Sequence, residues 1–263
     1  MLAPLLFDSL TSQNATKAEA EVSALEGFMQ RNRIGLLALA FLFMQGAAWQ
    51  ARAQAEKPAY QVMAPVEQYL MADKNSEIAL ARSAAPAAIS DGAEVQVLGR
   101  GGYTVAVAGK NGFVCLVERA FAASTDFPQF WNPRIKGPDC VNAAAARTYL
   151  PALLLKAKLA LAGRSKAQIA AAIQSAREKK ELPAIEPGAM GYMLSKQQYL
   201  NDDAIHWHPH LMIFVPGDAG KSWGADLENS PVMSANDPEE RMTTLFIVVA
   251  TWSDGTPAPH DMH

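Results

Sequence analysis

The sequence predicts an α+β fold: an antiparallel β-meander and later strands packed with a helical block, in a single compact domain after a signal peptide. Three observations predict it. Short β-rich runs at 94–98, 103–108 and 113–118 are separated by glycine-containing turns. Residues 140–182 then carry apolar side chains at helical spacing, and short apolar runs return at 189–194, 211–215 and 245–251.

The N-terminal residues precede that domain. Residues 34–43 form an unbroken apolar run, with Arg31 and Arg33 before it and Ala53 and Ala55 at the end of a small-residue stretch after it. A basic segment, a short apolar core and an A-x-A site together make a secretory signal, with cleavage before Glu56. The run meets Gln45 and Gly46 too soon to span a bilayer, which takes about 20 apolar residues. Asp8, Glu19, Glu21 and Glu26 are out of place ahead of a signal core, whereas Met29 is followed directly by a basic segment. The expected organisation is therefore a gene-call extension over 1–28, a signal peptide over 29–55 and a mature domain over 56–263. The expected location is periplasmic or extracellular, with no stable membrane anchor after cleavage.

Within 56–263, residues 56–85 read as helical, with Pro65 suited to a first turn and a second short helix capped near Asn75-Ser76 and ending before Pro86. Gly109-Lys110-Asn111-Gly112 predicts a hairpin between the second and third β-runs, because Asn-Gly accepts the positive φ of tight turns. Residues 124–139, with three prolines, Phe127, Phe130 and Trp131, read as a loop whose aromatics fold onto the core. In the helical block, Pro151 marks a kink or a new start. Ser165 and Gln168 have the spacing of a capping box, and Ile169, Ile173 and Ala176 line one face. Residues 216–242 read as a long polar loop.

Half of the chain is apolar, only 19% is charged and the formal net charge is -3, so a packed core is expected and no nucleic-acid partner is. Cys115 and Cys140 are the two cysteines. In an oxidising compartment they are expected to form a disulfide, the alternative being two separate buried thiols.

One segment carries the residue types of a metal or acid–base site. His206, His208 and His210 lie directly before the apolar run at 211. Alternation along an extended chain would turn the three imidazoles to one face. Zinc is the expected ion, and copper is the less favoured one, suggested by Met190, Met193 and Met212 near the histidines in sequence. His206 and His210 would stand about 13 Å apart in a regular strand, so a further ligand is needed. His260, His263, Asp202, Asp203, Asp226 and Asp254 are the candidates, and Trp207, Asp202 and Asp203 are the other site residues expected nearby. A hydrogen-bonded polar corner accounts for the same residues without a metal, and a His–Asp acid–base site is an intermediate reading. The sequence thus favours a binding or non-catalytic domain for a small molecule or metal ion. A metal-dependent hydrolase using His206, His208 and His210 is the alternative.

Overall fold

The computed structural model describes residues 60–203 and 208–259. The extension over 1–28, the signal peptide over 29–55, and His206, Trp207, His260 and His263 lie outside the described residues. The described chain is an α+β domain built on one eight-stranded sheet. The strands are β1 (Glu94–Gly99), β2 (Gly102–Val107), β3 (Val114–Glu118), β4 (Gly137–Val141), β5 (Met190–Met193), β6 (His210–Pro216), β7 (Val232–Asp237) and β8 (Met242–Val248). Their order across the sheet is β2-β1-β3-β4-β5-β6-β8-β7. The β1–β3 pair is parallel and the other neighbours are antiparallel.

That parallel pair corrects the expected hairpin at 109–112. β2 pairs with β1 through the turn at Gly99–Gly102, and β3 lies on the far side of β1. The 109–112 segment passes the end of β1, where the amides of Lys110 and Asn111 donate to the Gly92 carbonyl. A Cβ on Gly109 would stand 2.3 Å from the Glu94 nitrogen, so this glycine serves close backbone approach rather than a tight turn.

Two strands fall where loops were expected. β4 emerges from the proline-rich segment and is buried along its length, pairing with β3 over all five residues. Its pairing with β5 covers only Cys140 and Val141, so Pro138 lies beyond that ladder. β7 emerges from the polar 216–242 segment as the edge strand against β8, largely exposed and without an apolar run.

Five helices complete the domain: α1 (Lys74–Arg82), α2 (Ala87–Ser90), α3 (Ala143–Thr148), α4 (Leu150–Leu161) and α5 (Lys166–Glu178). The Asp73 side chain caps α1 by accepting from the amides of Asn75 and Ser76, two residues ahead of the expected cap. Pro151 sits in the first turn of α4, so it starts a helix and does not kink one. Ser165 and Gln168 form both halves of the capping box on α5.

Strand alternation sends neighbouring residues of β3 and β4 to opposite faces of the sheet. On one face Cys115, Val117 and Cys140 pack with Leu80, Ala81 and Ala84 of the α1 region, and Cys115 and Cys140 are disulfide-bonded across directly paired positions. On the other face Leu116 and Val141 pack with Tyr149, Leu150, Leu153, Met212 and Phe214. A third cluster joins α4 and α5 to Tyr69, Phe121, Phe130 and Trp131, so the aromatics of the β3–β4 connection do fold onto the core. Among the described residues no helix is long and apolar enough to cross a membrane.

Candidate functional site

The face of the sheet that meets α3 and α4 is not filled along its whole length. Between the ends of β3, β5, β6 and β8 and the β3–β4 connection lies a cavity of about 240 Å³. Met193, Met212, Phe246 and Phe127 give it apolar walls, and Glu118, Tyr149 and His210 bring polar groups to it.

Glu118 closes β3, and its position follows from the register that sets it opposite Gly137. The Tyr149 hydroxyl donates to Glu118 Oε1 at 2.9 Å, while the Tyr149 ring stacks on Phe214 with centroids 3.9 Å apart. Glu118 faces the cavity and is otherwise enclosed by protein. Burial pushes its carboxyl up to about 7 against the opposing hydrogen bond from Tyr149. Asp139, on the same face of β4, is fully buried, and neither of its carboxyl oxygens makes a well-formed hydrogen bond. Burial and then the charge of Glu118 hold Asp139 well above the ordinary carboxylate range. The two carboxyls therefore influence each other, and both take up protons more readily than free carboxylates do. Gly191 makes room for the pair, because a Cβ there would stand 2.5 Å from Asp139 Oδ1.

His210 opens β6, opposite Met193 and Val248. Its Nδ1 lies 2.9 Å from the His208 carbonyl oxygen. A carbonyl can only accept, so Nδ1 carries the proton in that contact. Burial lowers the pKa of His210, which keeps the imidazole neutral at physiological pH. Its ring meets Phe246 edge-on.

The lower wall is fixed by Lys156, a fully buried lysine in the middle of α4. Its ammonium donates to the carbonyls of Ala122 and Ala123 at 3.1 Å and pairs with Asp237 and Glu240. Burial lowers its pKa, and the charges of Glu240 and Asp237 outweigh that and raise it overall. With every donor engaged, this lysine holds the β3–β4 connection to the β7–β8 turn and is not a free nucleophile.

The residues expected from the sequence separate in space. His210 lines this cavity, whereas His208 lines a second one of about 310 Å³ with Ser230, Met233 and Val248. Asp202 accepts from Tyr60, Tyr199 and Asn132, and Arg134 stands 3.5 Å away. Burial pushes Asp202 up, but these hydrogen bonds and the Arg134 charge leave it below its ordinary value. Asp203 accepts from Gln129. Both aspartates thus pin residues 199–203 to the β3–β4 connection. Among the described residues no group of three His, Cys, Asp or Glu side chains could hold a metal ion.

Glu118, Asp139 and Tyr149 were not singled out by the sequence. The available signal was a lone acid in each of two apolar runs, FVCLVE and DCV, together with Lys156 in the apolar LPALLLKAKLAL. No family model matches the chain, no curated protein is similar to it, and no solved structure matches it.

Proposed function

We propose that the domain is a binding protein that takes a small, mainly apolar molecule with one hydrogen-bonding group into the cavity beside Glu118. The observation that carries this reading is a protonatable carboxyl, with a buried second carboxyl behind it, at the wall of an apolar cavity. Small-molecule sites are commonly apolar hollows with a few convergent polar groups and perturbed titration. A carboxyl held near neutrality can donate or accept, so it suits a ligand hydroxyl or carbonyl. The hydroxyl paired with Glu118 is that of Tyr149, which burial pushes well above its ordinary range, so it is a poor nucleophile and binding is favoured over covalent catalysis. The disulfide supports an oxidising compartment, and with it the periplasmic or extracellular location. Zinc or copper at His206, His208 and His210, with or without hydrolysis, is a separate proposal that shares only His210 with this cavity.

The test is titration of the purified protein with p-cresol, indole and cyclohexanone, followed by calorimetry and by the unfolding midpoint. Saturable binding by at least one probe is expected. It should be abolished by Ala235→Trp, which fills the cavity mouth from an exposed position on β7, and weakened about tenfold by Glu118→Gln. No saturable binding at millimolar probe, or binding unchanged in both variants, overturns the reading.

A further inference from the structure

A third cavity, of about 310 Å³, lies away from Glu118, between the end of α5, residues 182–185 and the β7–β8 turn. Arg177, Lys180 and Arg241 bring three cations to it against one carboxylate, Glu240. That carboxylate is already matched: Lys156 pairs with Oε1, and the Arg177 guanidinium lies 3.4 Å from Oε2. Lys180 and Arg241 form no ion pair with a described residue. Arg177 is more than nine-tenths buried, its Nη1 donates to the Pro183 carbonyl, and its Nε has no hydrogen-bond partner. The cavity therefore has an excess of positive charge, with the Arg177 side chain held rigidly at its wall.

The backbone adds an independent sign. Lys180 has φ 60° and Arg241 has φ 55°, left-handed values at which glycine is the ordinary residue. Lys180 follows the last turn of α5, where the Glu181 amide closes back on the Ala176 carbonyl. Arg241 ends the four-residue turn between β7 and β8. A basic residue after a helix C-terminus can be there for the helix carbonyls alone. That does not account for Arg241, on a hairpin turn of a different element and lining the same cavity. Strained non-glycine backbone that brings two like charges together is a mark of a site.

We infer that this cavity binds an organic oxyanion, with Arg177, Lys180 and Arg241 on the carboxylate or phosphate and Leu182, Pro183 and Ile185 against an apolar body. Inorganic phosphate, benzoate and phenyl phosphate, each at constant ionic strength, are the probes, with benzyl alcohol as the neutral control. Benzoate or phenyl phosphate should bind saturably and tighter than benzyl alcohol. The better of the two identifies the head group, and inorganic phosphate alone should bind more weakly than phenyl phosphate. The variant K180G/R241G should weaken the anion about tenfold or more, because two charge-assisted contacts are lost. Glycine suits both backbone positions, so the variant should unfold no lower in temperature than the parent in the absence of anion. No saturable anion binding, anion binding unchanged in K180G/R241G, or benzyl alcohol binding as tightly as benzoate overturns the assignment. None of these readouts involves the Glu118 cavity.

Discussion

The two faces of β3 and β4 are made by alternate residues of the same few strands, yet they solve opposite problems. Cys115, Val117 and Cys140 face α1 in an apolar layer closed by a disulfide. Their immediate neighbours Leu116, Glu118 and Asp139 face α3 and α4, where two carboxyls are withdrawn from bulk water and form no ion pair with a described residue. Burying an ionised carboxylate unpaired is costly, so protonation stabilises the second face. One face is stabilised by a covalent link and apolar packing; the other spends part of that stability to keep polar chemistry inside.

The largest expected effect breaks the first face. Cys115→Ala/Cys140→Ala removes a link between residues 25 apart, which should cost about 3–4 kcal/mol of unfolding free energy. Denaturant midpoints with and without the pair measure it. Because the carboxyls lie on the other face, the pH dependence of stability should survive unchanged, and a changed slope would mean the faces are coupled.

The next effect belongs to the second face. Glu118 titrates near 4.5 in the unfolded chain and at about 7 in the fold. The native state then holds more protons across that interval. The contribution of Glu118 to stability is fully present below pH 4.5 and is lost as pH rises through 7, by up to about 3 kcal/mol. Unfolding across pH 4.5–8 should show that decline as the difference between the parent and Glu118→Gln, which keeps an acceptor for Tyr149, while Asp139 and His210 contribute to both profiles. A difference between the two profiles that is flat or rises with pH would contradict the raised Glu118 carboxyl.

The smallest effect sharpens the contrast locally. Gly191→Ala forces a methyl against Asp139 Oδ1, and overpacking of this kind costs about 1–3 kcal/mol. Shortening the acid in the double variant Gly191→Ala/Asp139→Ala should recover most of the loss. If it does not, the glycine is needed for some reason other than the carboxyl beside it.

Most of the sheet could be read from the sequence because β1 and β2 are β-rich runs beside glycine turns and β3, β5, β6 and β8 are short and largely apolar. The capping box at Ser165 and Gln168 and the Cys115–Cys140 bond were equally legible, since local hydrogen-bond chemistry and a lone cysteine pair leave few alternatives. β4 was hidden by Pro138 and Asp139, residues that argue against a central strand until its partial pairing with β5 is known. β7 was hidden because an edge strand needs no apolar run. The order of β1 and β3 was hidden because Asn111-Gly112 has the composition of a hairpin turn while the local chain is held by Gly92. The cavity is a tertiary product. Glu118, Asp139, Tyr149 and His210 come from four elements, and a single acid ending an apolar strand looks the same whether it meets water or another acid. The histidine segment drew attention by its density, yet His208 and His210 line different hollows.

The bond between Cys115 and Cys140 also makes the β3–β4 connection a closed covalent ring that carries one wall of the Glu118 cavity. A single nick within 119–136 would open that ring without parting the molecule, since the two sides stay tethered at the base. The disulfide thereby keeps β3 and β4 covalently joined at Cys115 and Cys140 wherever that wall is cut.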